Sequence, residues 1–211
     1  ADITFNKLNQ LFYGASPMPE VVLEKLVNNY PSLSLFQVYG QTESSPVLTM
    51  LKPNCHASDY VDISVRRSAG QPILGTSVEV MSEDGTLLDS GNVGEIVAKG
   101  EQVMSGYLGL EKETNSALKD GWLHTGDSGF KDENGFVYVV DRIKDMIISG
   151  GENVYSVEVE NALYELPWVE QCCVVGLPDD KWGERVHAVV VPKPNSVVDR
   201  EALFSHCKSR L

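Results

Sequence analysis

The spacing of apolar positions changes character twice along the chain. Asn9 to Tyr13 turns apolar and ends at Gly14-Ala15-Ser16, which predicts a short strand. Pro17 and Pro19 suit a helix entrance, because proline presets φ and needs no amide partner in the first turn. Val22, Leu23, Leu26, Val27 and Tyr30 recur at the spacing of one helical face, predicting a helix over residues 19–30 that Pro31 stops. Leu33 to Tyr39 reads as a second buried strand, ending at Gly40. Strand, helix and strand in this order suggest a βαβ unit. Ligands gather at the carboxyl ends of such strands, here Gly14-Ala15-Ser16 and Gly40-Gln41-Thr42-Glu43.

Residues 63–141 follow a different rhythm. Val78 to Met81, Glu95 to Ala98 and Phe136 to Val140 are β-rich and alternate with turns such as Asp84-Gly85 and Asn134-Gly135. That punctuation predicts an antiparallel sheet or small barrel. From Ser149 the pattern shifts again. Ser156 reads as an N-cap, followed by a helix whose apolar face is Val159, Ala162, Leu163 and Leu166. Gln171 to Leu177 and Arg185 to Val191 read as strands. Asp199 caps a last helix with Leu203, Phe204 and Cys207 on one face, and no stop signal precedes Leu211. The expected class is mixed α/β (α+β): a βαβ unit, an antiparallel β subdomain, then a small partial α+β domain.

Composition narrows the function. The formal charge is −13 and the pI about 4.7, with no Lys/Arg run to grip a phosphate backbone, which argues against nucleic acid. No apolar run approaches the ~20 residues that span a bilayer, and the first residues lack a signal-peptide pattern. Cys55, Cys172, Cys173 and Cys207 show no zinc spacing and read as reduced, which fits a cytoplasmic protein.

Four polar segments carry candidate chemistry. In Tyr39-Gly40-Gln41-Thr42-Glu43, the hydroxyl of Thr42 can donate to a phosphate oxygen and Glu43 can hold Mg²⁺, a hard cation that prefers oxygen. The alternative is a solvated strand-to-loop turn. In His124-Thr125-Gly126-Asp127, an acidic side chain after a glycine can accept both hydroxyls of a ribose; the alternative is an Asp in a turn. His124 itself reads as a structural or surface histidine rather than a catalyst. Arg142 offers planar donors for ribose or phosphate, or else an ion pair with Asp141 or Asp145. Gly150-Gly151 is either a tight turn or a channel wall that lets a slim ligand arm pass.

In chain order, Gly14-Ala15, Tyr39 to Glu43, His124 to Asp127, Asp141-Arg142-x-Lys144-Asp145 and Ser149 to Asn153 resemble the motif series of the AMP-forming acyl-CoA synthetases. These belong to the adenylate-forming superfamily, with firefly luciferase and the adenylation domains of peptide synthetases. Gly94-Glu95-Ile96 and Gly106-Tyr107 fit the same series. The resemblance implies roles. Gly14, Ala15 and Ser16 line the adenine and the acyl-adenylate. Tyr39 lies beside the adenine with Gly40 next to it, Thr42 contacts phosphate and Glu43 holds Mg²⁺. Asp127 binds ribose, and Arg142 the ribose or phosphate. Lys144 is the hinge, Gly150 and Gly151 wall the pantetheine tunnel, and Trp182 sits near CoA.

It further implies a large-domain portion over 1–143 and an incomplete mobile domain over 144–211. The expected reaction uses ATP to convert a fatty or aromatic carboxylic acid to acyl-AMP and pyrophosphate, then passes the acyl group to CoA. The family's phosphate loop is expected before Ala1 and its catalytic lysine beyond Leu211, so the chain alone is expected to adenylate little. Two other readings stand beside this one: a domain that loads a carrier protein, and a non-catalytic nucleotide-binding module. The particular acid and the oligomeric state are not legible.

Overall fold

A computed structural model describes residues 7–16, 18–57, 60 and 62–211, so the Pro17 reading lies outside the described residues. Residues 22–139 fall in one compact unit and 140–211 in another.

The first unit opens with the expected βαβ arrangement. β1 (Gln10–Gly14) runs parallel to β2 (Ser34–Tyr39), with α1 (Glu20–Asn29) between them. Phe12 faces Phe36 across the pair, and their rings stack at 4.5 Å. Only Leu23 of α1 is buried; Val22, expected on the inner face, is 44% exposed. β3 (Thr49–Leu51) and β4 (Gln71–Pro72) extend the sheet antiparallel, in the order β1-β2-β3-β4.

The antiparallel subdomain is a second sheet. β5 (Thr76–Met81) pairs with β6 (Gly94–Gly100), which pairs with the long β8 (Trp122–Lys131). β7 (Leu118–Lys119) and β9 (Val137–Arg142) both pair with β8. Ile96, Val97 and Ala98 are all fully buried, as expected for a strand covered on both faces. Leu48, Val78, Ile96, Ala98 and Val137 form the core, with Tyr39 packed against it. Sequence periodicity missed α2 (Glu111–Ala117), because its residues are polar throughout and none is buried.

In the second unit, β10 (Ile147–Ser149), β11 (Glu152–Val154), β12 (Val169–Asp179) and β13 (Gly183–Pro192) form a sheet in the order β11-β10-β13-β12. Val186, Ala188 and Val190 alternate inward onto a core of Ile147, Val159, Leu163 and Val174. α3 (Ser156–Tyr164) and α4 (Arg200–Arg210) supply the rest of that packing.

Three readings change here. Ser156 is the first helical residue rather than the N-cap; its amide and hydroxyl both donate to Asp141 Oδ2, at 2.6 and 2.9 Å. Leu166 lies past the end of α3. Leu203 and Cys207 join the core, but Phe204 is 72% exposed, because consecutive helical residues diverge by about 100°. Asp199 does cap α4, accepting from the Ala202 amide at 3.0 Å.

Candidate functional site

The parallel register Gly14↔Val38 places Gly14-Ala15-Ser16 and Tyr39 to Glu43 at the same carboxyl end of the first sheet. Gly40 is required where it stands: φ is +157°, and an added Cβ would lie 2.1 Å from the Pro46 carbonyl oxygen. That closeness lets the chain double back so that Leu48 N donates to Tyr39 O at 2.7 Å. Thr42–Ser44 then forms a single 3₁₀ turn. Ser44 is buried and ties itself to Gln41 through reciprocal bonds of 2.9 and 3.0 Å. This leaves Thr42 exposed and Glu43 half-buried. Glu43 Oε1 accepts from the Tyr107 hydroxyl at 2.7 Å. That bond, with some burial, pushes the Tyr107 phenol above its ordinary range.

Asp127 comes from the second sheet. β6 and β8 pair Glu95 with Ser128 and Val97 with His124, so Thr125, Gly126 and Asp127 of β8 face a single residue, Ile96. The segment is a bulge. Thr125 Oγ1 donates to Ile96 O at 2.6 Å and accepts from Asp127 N at 3.1 Å. Asp127 is 6% exposed, and its Oδ2 accepts from the Tyr39 hydroxyl at 2.7 Å. Tyr39 and Asp127, 88 positions apart, are thus brought together. Beside them is a cavity of about 500 Å³ lined by Glu95, Tyr107, Leu110, Glu113, His124 and Gly126. A slightly larger cavity, about 540 Å³, is lined by Met50, Lys52, Cys55, Tyr60 and Phe136 among others, and holds none of the predicted site residues.

The second unit holds the remaining candidates. Arg142 ends β9 and is exposed; Lys144 is exposed in the 3₁₀ turn Ile143–Asp145. The Asp141 carboxylate is buried and takes up the Arg142 amide at 2.8 Å as well as Ser156. Gly150 and Gly151 form the two-residue turn between β10 and β11, with φ of +64° and +87°. Both values suit a type I′ turn, which glycine adopts without strain. Gly150 N donates to Trp182 O at 2.8 Å, and a Cβ on Gly150 would lie 2.8 Å from Trp182 Cε3. The indole therefore lies against Gly150, itself 49% exposed, with Lys181 Nζ 4.6 Å from its ring centroid.

Three residues of these constellations drew no role in the sequence: Glu95, Thr125 and Tyr107. The signals for two of them, Gly94-Glu95-Ile96 and Gly106-Tyr107, were visible only as family patterns. His124 Nδ1 lies 2.7 Å from Glu95 Oε2.

Known proteins resemble this chain over nearly its whole length. The family model of AMP-binding enzymes matches residues 2–108, and that of the AMP-binding enzyme C-terminal domain matches 158–211. A feruloyl-CoA synthase of Amycolatopsis is 41% identical over 206 residues, covering 98% of this chain and 40% of the relative. A fatty acid–[acyl-carrier-protein] ligase, ScoC of Streptomyces coeruleorubidus, is 41% identical over 190 residues, 90% of this chain and 36% of the relative. The o-succinylbenzoate CoA synthetase of Bacillus subtilis, solved with its acyl-adenylate intermediate, superposes with a TM-score of 0.87 at 34% identity, covering 100% of this chain and 41% of that one. The chain thus spans about 40% of the length of these relatives.

Proposed function

The chain belongs to the AMP-binding enzyme family, and from that premise we propose that it is a segment of an AMP-forming acyl-CoA ligase. Residues 1–143 are the later part of the large nucleotide-binding domain, and 144–211 part of the small mobile one. The observation that carries the reading is the Tyr39–Asp127 contact at the carboxyl end of a parallel strand pair. A buried carboxylate held by a phenol is an acceptor set in place for ribose hydroxyls, with the Tyr39 ring for the base. Thr42, exposed in the turn that begins two residues after Gly40, faces the phosphate, and Gly14, Ala15 and Ser16 line the adenylate.

Glu43 suits Mg²⁺. One oxygen is fixed by Tyr107, no contact among the described residues engages the other, and Mg²⁺ is commonly held by one or two carboxylates plus water and phosphate oxygens. Among the described residues no cluster of three or more His, Cys, Asp or Glu forms a closed metal cage, which is consistent with so open a site. When bound, the ion neutralises phosphate charge.

The reaction has two halves. A substrate carboxylate attacks the α-phosphate of ATP, forming acyl-AMP and releasing pyrophosphate; the thiolate of CoA then attacks the acyl carbon and AMP leaves. The protein's share is alignment and charge complementarity. Arg142 contacts ribose or phosphate, and Lys144 is the hinge at which the small domain turns. Gly150, Gly151 and Trp182 give the pantetheine arm a narrow path beside an exposed aromatic. A cytosolic location belongs to the same proposal, in keeping with four cysteines that are all free. No helix among the described residues is long and apolar enough to cross a membrane.

The test is the whole ligase incubated with ATP, Mg²⁺, CoA and a panel of fatty and aromatic acids. Acid-dependent release of AMP and pyrophosphate with a new CoA thioester is expected; AMP binding with no acid-dependent turnover would leave only a nucleotide-binding module. Similarity to a carrier-protein ligase favours a second reading, in which the acceptor is a phosphopantetheinyl carrier. Acyl transfer to such a carrier in preference to CoA would select it.

A further inference from the structure

Resting on the nucleotide reading of Tyr39 and Asp127, we propose that Glu95 is a positioning residue, whose carboxylate sets the shape of the bulge that presents Asp127. The bulge has a problem that a regular strand does not. Where three residues of β8 face Ile96 alone, the ladder cannot satisfy their amides. Side chains do so instead. Thr125 Oγ1 accepts from Asp127 N at 3.1 Å, and Glu95 Oε1 accepts from Gly126 N at 3.0 Å. Gly126 has φ of +72°, a conformation open to glycine, and no heavy atom lies within 4 Å of where its Cβ would be. The glycine thus answers to the backbone conformation rather than to crowding, and the bond from Glu95 restrains that conformation.

The other oxygen of Glu95 explains the buried histidine. Glu95 Oε2 lies 2.7 Å from His124 Nδ1, and an ionised carboxylate only accepts, so Nδ1 carries the proton. His124 Nε2 is buried with no hydrogen-bond partner among the described residues. The imidazole thus makes its one hydrogen bond to Glu95, steadying the carboxylate that holds Gly126. Both oxygens of Glu95 are engaged within the bulge, so its influence on a nucleotide passes through the backbone to Asp127.

The test is AMP affinity, measured by calorimetry on the whole ligase. E95A is expected to weaken AMP about tenfold, the scale of a lost charge-assisted hydrogen bond. E95Q, which keeps an oxygen for Gly126 N, is expected to stay within about threefold of wild type, since one neutral hydrogen bond replaces a charged one. E95D carries the same test should E95A fail to fold; its carboxylate is one methylene too short to reach both donors, and it is expected to lose affinity as E95A does. If Glu95 acts through Asp127, the double variant E95A/D127N binds no more weakly than D127N alone. Unchanged affinity in E95A or E95D, or losses from Glu95 and Asp127 that multiply in the double variant, would overturn the proposal with the nucleotide reading intact. Failure of the wild-type protein to bind AMP would overturn that reading and this proposal together.

Discussion

Asp127 is buried, and its carboxylate accepts from the Tyr39 phenol. The phenol fixes the direction of one oxygen, Oδ2, of a group that when ionised offers about four lone-pair sites in all. Removing the phenol oxygen in Y39F should weaken AMP about tenfold, the scale of one hydrogen bond to a charged group, with little change in melting temperature. Loss of stability with unchanged affinity would mean that the bond serves the core instead. Glu43 makes a parallel case. E43Q in the whole ligase should raise the Mg²⁺ concentration for half-maximal turnover by about tenfold or more, because a neutral amide loses the charge that a hard cation prefers. Y107F should shift it less, since the carboxylate survives. Tyr39 and Glu43 were legible in the sequence because they flank Gly40 at the end of β2, and Asp127 because it follows Gly126, although the structure sets that pair within β8. Glu95 was not, because its partners His124 and Gly126 lie 29 and 31 positions away.

At the scale of elements, strands and helices with a buried apolar stripe were readable, and those held by polar contacts were not. The inward row Val186, Ala188 and Val190 of β13 shows a plain two-residue period, whereas α2 buries nothing and has no period to read. Ser156 illustrates a subtler failure. A serine ahead of an apolar helix face ordinarily caps it, but here Asp141, 15 positions upstream, accepts its hydroxyl and amide. D141A should therefore destabilise the second unit by about 2–3 kcal/mol, leaving buried donors unsatisfied at the start of α3, as chemical denaturation would show. The adjacent cysteines give an independent check on the strand. Cys173 is exposed, while burial pushes the Cys172 thiol up to about 11. At pH 8 the reactive thiolate of Cys172 is scarce, so iodoacetamide should label Cys173 first, and Cys172 should respond only as pH rises toward 11. Equal labelling at pH 8 would contradict the register of β12.

For the whole molecule, the pH dependence of stability has a traceable contributor in the first unit. His56 is buried with Nδ1 against the Lys52 carbonyl at 3.1 Å and Nε2 2.8 Å from the Tyr13 hydroxyl. Burial chiefly holds its pKa below the ordinary 6.5; the Lys52 bond opposes this and the charge of Arg66 adds to it. The folded state binds that proton less readily than the unfolded chain. Its contribution is thus present above about pH 6.5 and lost as pH falls below it. Denaturation at pH 7 and pH 5.5 should show a loss that is smaller in H56Q. The central claim is narrower: the Tyr39–Asp127 pair is a nucleoside site. AMP titrated into the whole ligase and its D127N variant tests it most directly. The expected result is one-to-one binding that weakens more than about tenfold in D127N, the scale of a lost charge-assisted bond, at an unchanged melting temperature. Equal affinity in the two proteins would contradict it.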